Sequence, residues 1–335
     1  MTSTTSSLSS ANSTYKQRIQ ALVDNHRLKI RVILAPPRTS STAMEASCWL
    51  NSGIKYQVHE PFDNVGHSGA NVDEAYRIIF ESIDGEALEQ SAESMTICVK
   101  EMTFQIGKGK YFTDFMRMVE GPVIVLVRNP LLTIESRIRR VLEGLDDEIA
   151  KAAGYPSLDA FVQKKTGDPN ASWQAVLEAR KEAQDYTIFA ELLDARIDNE
   201  ILFPDWKTGW EMLGDQLAQL QVTGKDYVVM DATEVRMDPE TMMQRVCELW
   251  NLTYEDKMVH WTPEDLEALQ TGQMGQEQAH WYKRLRKCRG FEAPAECPPG
   301  LDAFPERFQR HILEVALPAY LRALRDSRRV RIAEG

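Results

Sequence analysis

Val123-Ile124-Val125-Leu126-Val127-Arg128-Asn129-Pro130 decides how this chain folds. The apolar, β-branched run fits a strand covered on both faces, and it stops at a charge followed by a proline suited to a helix start. A second run, Arg31 to Ala35, opens in the same way into Pro36-Pro37-Arg38-Thr39-Ser40-Ser41-Thr42. Each is a strand emptying into a polar loop ahead of a helix. There, backbone N–H groups and a helix N-terminus converge on one point and favour an anion. In the first loop Thr39, Ser40, Ser41 and Thr42 add hydroxyls, and Arg38 adds a planar guanidinium fork. In the second, Arg128 leaves the strand end and Ser136 stands about two turns into the next helix. Together they predict a ligand with phosphate-like groups at two separated points.

Working outward, strands are expected at 31–35, 54–58, 95–99, 122–127 and 226–230, with helical patterns between them. The helix after Thr42 turns Ala43, Ala46, Trp49 and Leu50 inward and stops at Gly53. Another lies near 72–83. Phe112, Phe115, Met116 and Val119 follow helical spacing, as do Leu131, Ile134, Ile138, Val141 and Leu145. Such alternation specifies an α/β class: a three-layer α/β/α fold with a mostly parallel central sheet, whose ligands sit at the carboxyl ends of the strands. Residues 145–221 read as a helical insertion or cap, with a stripe through Trp206, Trp210, Leu213, Leu217 and Leu220. The tryptophans read first as core packing. A C-terminal helix is expected over about 305–326 with a kink at Pro318. Residues 1–14 are almost all Ser, Thr, Ala and Asn and read as a disordered tail. The remainder, 15–330, reads as a single domain.

The 335 residues carry 43% apolar side chains, enough for a sizeable core. A net charge of −11 argues against general affinity for nucleic acid or for an anionic membrane, so an anion site must be a local reversal of charge. No apolar run approaches the roughly 20 residues of a membrane span, and no secretion signal is visible. Five cysteines without a CxxC suit free thiols in a reducing, cytoplasmic setting. No metal is expected, since His280, Cys288 and Cys297 match no standard zinc spacing. The first loop lacks GxxxxGK[ST], which argues against ordinary nucleoside-triphosphate hydrolysis.

The two loops together resemble the 3′-phosphoadenosine-5′-phosphosulfate-dependent sulfotransferases. That family's first loop reads P-[KR]-[ST]-G-[ST]-T, and Pro37-Arg38-Thr39-Ser40-Ser41-Thr42 is similar to it, with Ser40 in place of the usual glycine. The family's second motif, R-[ND]-P with a serine eight residues after the arginine, matches Arg128 and Ser136. Tyr227 to Asp231 and Asp238-Pro239-Glu240 resemble a later strand and helix start. Trp281 to Gly290, with Arg284, Arg286, Lys287, Arg289 and Gly290, resembles the basic loop that closes over the 3′-phosphate. The resemblance implies a P-loop NTPase-like fold. It implies an enzyme that moves a sulfuryl group from 3′-phosphoadenosine 5′-phosphosulfate (PAPS), leaving the bisphosphate PAP, to a hydroxyl or, as second choice, an amine of a small-molecule acceptor. A kinase-like enzyme on the same fold and a non-catalytic nucleotide-binding relative are the rival readings. Oligomeric state is open.

Hydroxyl sulfation needs a general base. The K-[TS]-H histidine of many cytosolic members is replaced here by Lys100-Glu101-Met102. Glu60, in His59-Glu60-Pro61-Phe62, resembles the "E-P" stretch of carbohydrate sulfotransferases and is the first choice. Glu101 is the second and His59 the third, and Glu60 and Glu101 are both expected near the mouth of the cofactor site. Lys100 would assist at the sulfuryl oxygens. Arg38 stands where many members carry a catalytic lysine, and it would stabilise charge rather than give up a proton. His59, Phe62 and His67 are candidates to line the acceptor site.

Overall fold

The computed structural model describes residues 14–63, 72–199, 202–266, 287–291 and 297–331. Five strands form one sheet: β1 (Leu28–Ala35), β2 (Tyr56–His59), β3 (Met95–Met102), β4 (Val123–Val127) and β5 (Tyr227–Asp231). Their order is β2-β3-β1-β4-β5, and every pairing is parallel. The chain leaves β1 towards one edge of the sheet and leaves β4 towards the other. That places a topological switch point, where such sheets bind ligands, at the carboxyl ends of the two neighbouring strands that feed the predicted loops.

Alternation along the strands splits the interior into two layers. Ile30, Val32, Leu34, Ile97, Val99, Val123, Val125, Val127 and Val229 face one core. Ile33, Ala35, Cys98, Ile124, Leu126 and Met230 face the other, against Met242, Val246 and Trp250 of the helix Pro239–Trp250. The expected three-layer α/β class is therefore the observed one. Strand β3 runs further than its apolar stretch. It pairs with β1 as far as Ala35 opposite Met102, so Lys100 and Glu101 are strand residues pointing to opposite faces.

The helical segment after residue 145 is continuous with the first core. Its helices are Asp147–Ala152, Leu158–Thr166, Trp173–Ala183, Ala190–Asn199 and Leu202–Val222. Trp206, Trp210, Leu213, Leu217 and Leu220 are buried in that core, as the stripe predicts. Trp206 Nε1 donates to Thr133 Oγ1 at 3.0 Å. Gly209 on the same helix lies against the first loop, where a Cβ would come within 2.5 Å of Pro37.

Two boundaries differ from expectation. Thr14, assigned above to the tail, caps the helix Tyr15–Asp24 by accepting from Gln17 N, while 1–13 lie outside the described residues. The C-terminal helix is not simply kinked at Pro318. A π-helical stretch, Ile312–Ala316, separates Glu306–His311 from Leu317–Leu324, next to a proline that cannot donate to the ladder.

Candidate functional site

The first loop folds tightly because two non-glycine residues adopt left-handed backbone: Arg38 at φ 69° and Ser40 at φ 63°. Glu60, across the same end of the sheet, is a third at φ 48°. Such conformations are costly for L-residues and gather where function needs them. Ser40 stands where the resembled family has glycine, and its backbone keeps the conformation glycine would favour. It precedes the helix Ser41–Trp49 yet makes no side-chain cap bond. Ala43 N donates to the Ser40 carbonyl oxygen at 3.1 Å, and the N–H groups of Ser41 and Thr42 ahead of it lie beyond the reach of the helix's own carbonyls. By contrast, Asn129 Oδ1 caps Pro130–Glu143 at Leu131 N, 3.0 Å away.

The two predicted anion loops meet directly. Arg38 donates from Nε and Nη2 to Ser136 Oγ at 3.1 and 2.9 Å. Arg128 Nη1 donates to the Arg38 carbonyl oxygen at 3.3 Å. Three of the residues singled out in the sequence therefore converge, although they come from two segments some 90 residues apart. Ser40 and Thr42 border this cluster half-buried, and Ser41 is buried. Thr39 has a different task. Its hydroxyl is fully buried and donates to Pro36 O at 2.9 Å, which shapes the loop from within.

A second cluster lies at the ends of β2 and β3. Lys100 is fully buried and ion-paired with Glu60 Oε1. Glu60 Oε2 accepts from Gln105 Nε2 at 2.6 Å, and the same nitrogen donates to Asp63 Oδ1 at 2.6 Å. His59 Nε2 lies 3.4 Å from Glu60 Oε1. Burial pushes the Glu60 carboxyl up, but the Lys100 charge, His59 and the hydrogen bonds from Lys100 and Gln105 outweigh it and hold the group at about 2. Glu101 goes the other way. Burial and the neighbouring Glu60 charge raise it well above the carboxylate range, against a hydrogen bond from Phe62 N. That bond to Glu101 Oε1 is 3.1 Å long, and Oε2 has no hydrogen-bond partner.

These positions correct two expectations. Glu101 does not stand at the mouth of the site. It is fully buried on the sheet face of Val99, because β3 continues through it, and a carboxyl so enclosed cannot reach an acceptor's hydroxyl. Phe62 lines no acceptor site with its ring. The ring is fully buried against Tyr76 and Phe115, at centroid distances of 5.8 and 5.0 Å, and its contribution here is the backbone N–H to Glu101.

Two residues that sequence reasoning missed complete the arrangement. Gln105 holds Glu60, and Glu45 holds His59. The signal available for Glu45 was a carboxylate flanked by Met44, Ala46 and Cys48 in the helix that leaves the anion loop. Gln105 had none. Of the basic C-terminal stretch, Lys287 and Arg289 are exposed. Gly290 has φ 138°, and a Cβ there would fall 2.2 Å from the Val259 carbonyl oxygen, so close backbone packing explains the glycine. Arg284, Arg286 and His67 lie outside the described residues.

Residues 216–327 match the family model of a sulfotransferase domain. The match takes in β5, the Asp238-Pro239 helix start and the C-terminal helix, and leaves out both anion loops. Among solved structures, a sulfotransferase domain from the curacin biosynthetic pathway is similar to this chain at 12% identity. It covers 85% of this chain and 96% of that one, with a TM-score of 0.42. No curated protein matches the sequence. The resemblance to sulfotransferases is borne out by the family match over residues 216–327. No helix among the described residues is long and apolar enough to cross a membrane.

Proposed function

We propose that this sulfotransferase-domain protein moves a sulfuryl group from 3′-phosphoadenosine 5′-phosphosulfate to a hydroxyl of a small-molecule acceptor. One observation carries the reading: Arg38, Arg128 and Ser136 converge at the end of the sheet that also presents Lys100 and Glu60.

The residues fit a donor with two phosphate-bearing ends. The uncapped start of the helix Ser41–Trp49 offers backbone N–H groups to one anion. Arg128 and Ser136 offer charge and a hydroxyl to another, and Arg38 stands between them. When bound, the donor supplies a sulfuryl group activated by its phosphate leaving group. The chain's share is placement and charge. Arg38 neutralises the leaving phosphate without becoming an acid, because a guanidinium keeps its proton. Lys100, enclosed and short of water, is a strong local positive charge for the sulfuryl oxygens. Glu60 accepts the acceptor's proton, and Gln105 fixes the carboxylate's orientation.

In the resting site Glu60 is a weak base because Lys100 is bound to it. Negative charge arriving beside Lys100 competes for that ammonium and makes Glu60 more basic when the acceptor proton has to leave. The net charge of −11 favours an acceptor that is not a polyanion. Five cysteines without a CxxC suit a cytoplasmic setting.

Calorimetric titration with 3′-phosphoadenosine 5′-phosphate beside AMP and ATP, on wild type and Arg128→Ala, tests the reading. The bisphosphate should bind about tenfold or more tighter than AMP, and the substitution should remove that advantage. Equal or tighter binding of ATP would sink the sulfotransferase reading in favour of a kinase-like one.

A further inference from the structure

Glu45 is fully buried on the helix that begins at the anion loop. An ionised carboxylate so enclosed needs a donor. His59 Nδ1 supplies it, 3.0 and 2.8 Å from the two oxygens. The opposite ring nitrogen, Nε2, is the atom 3.4 Å from Glu60 Oε1. Glu45, His59 and Glu60 thus form one line from the interior of the helix to the Lys100 pair. A carboxylate on one ring nitrogen fixes which tautomer the other presents.

We propose that Glu45 and His59 are a proton relay behind Glu60: Glu45 keeps the proton on Nδ1, and Nε2 takes over the proton that Glu60 removes from the acceptor. The proposal rests on the sulfotransferase reading. In the balanced step, the acceptor O–H bond is replaced by an O–S bond. The bridging S–O bond of the donor breaks, and its electron pair goes to the 5′-phosphate. The proton passes through Glu60 to His59 Nε2, so Glu60 returns to the carboxylate that pairs with Lys100. That ion pair makes Glu60 a poor resting place for a proton, which is why a second acceptor beside it is useful. Among the described contacts, His59 faces Glu45 from the helix and Glu60 from the loop, with Lys100 of β3 behind Glu60. Glu45 itself also faces the buried thiol of Cys98. His59 and Glu45 act through Glu60 and are positioning residues.

The test uses the full ¹⁵N-labelled chain. Long-range ¹H–¹⁵N correlations report the ring tautomers, with His59 assigned by its absence in His59→Gln. In parallel, sulfate release from the donor into water is followed against pH, which requires no acceptor. The expected results are a neutral His59 ring carrying its proton on Nδ1, reversible protonation at Nε2, and a redistributed tautomer in Glu45→Gln. His59→Gln should slow release about tenfold to a hundredfold and flatten the rising limb of the pH profile. Both variants are near-isosteric, and unchanged affinity for 3′-phosphoadenosine 5′-phosphate shows that each is folded at the site. A proton on Nε2 of the neutral ring, an unchanged spectrum in Glu45→Gln, an unaltered pH profile in His59→Gln, or no release by wild type would each overturn the relay. Failure of wild type to bind the bisphosphate would instead remove the sulfotransferase reading, whatever the ring shows.

Discussion

Replacing Lys100 by methionine tests the account of the Glu60 cluster. The ammonium is fully buried, and Glu60 is its described partner. A carboxyl held at about 2 instead of an ordinary 4.5 represents roughly 3 kcal/mol of native-state stabilisation at neutral pH, at about 1.4 kcal/mol per pH unit. Lys100 is the largest of the groups that hold it down. Lys100→Met should therefore destabilise the protein by about 2–3 kcal/mol at pH 7, within the range for breaking one side of a buried pair. The sign with pH follows from a depressed carboxyl. Its stabilisation is complete above 4.5 and is lost as pH falls towards 2, so the gap between wild type and variant must narrow over that window. The double variant Glu60→Gln/Lys100→Met should recover much of the loss, because no charge is left buried without its partner. Urea unfolding at pH 7, and at the lowest pH at which wild type stays folded, measures both effects. A loss below about 0.5 kcal/mol at pH 7, or a double variant no better than Lys100→Met, would refute the reasoning.

Ser40→Gly should raise the unfolding midpoint by an amount equivalent to about 0.5–1 kcal/mol, since it relieves a left-handed serine that makes no cap bond; thermal unfolding measures it. Glu101→Gln should stabilise the fold, with a gain that grows as pH rises from 4.5. A raised native carboxyl carries a protonation cost above its unfolded value, and the amide does not; unfolding at pH 5 and pH 8 gives the comparison, and a gain larger at pH 5 would contradict the assignment. Trp206→Phe should cost about 1–3 kcal/mol by removing the indole donor to Thr133 Oγ1, whose hydroxyl still donates to Pro130 O, and leaving a void, read as a lower denaturant midpoint.

The strands and the two strand–loop–helix turns were legible because their signals are local: β-branched runs, then polar turns, then helix starts. What depended on pairing was not. Lys100 and Glu101 looked like the residues just beyond β3, but the register with β1 carries the strand through them and sends their side chains to opposite faces. That single extension encloses Glu101 and aims Lys100 at Glu60. Phe62 looked like pocket material because an aromatic after "E-P" carries no sign of Tyr76 or Phe115, which meet it only in the folded chain. In the helix after the first loop, Ala43 and Trp49 are only partly buried, whereas Met44, Glu45, Ala46, Ser47 and Cys48 are buried. A stripe argument assigns charged residues to water, and Glu45 escapes it because its partner, His59, belongs to another element.

Gly209 gives the helical segment a mechanical hold on the first loop. The long helix Leu202–Val222 rests on Pro37 through a position with no side chain, and the Gly209 carbonyl accepts from Thr103, just past β3, at 2.7 Å. One residue thus sets the seating depth of the anion loop and anchors the chain behind Lys100. Under the proposed function, changes elsewhere in that helical region leave this stop, and with it the seat of the first loop, in place. Any redesign of the segment has to keep position 209 bare.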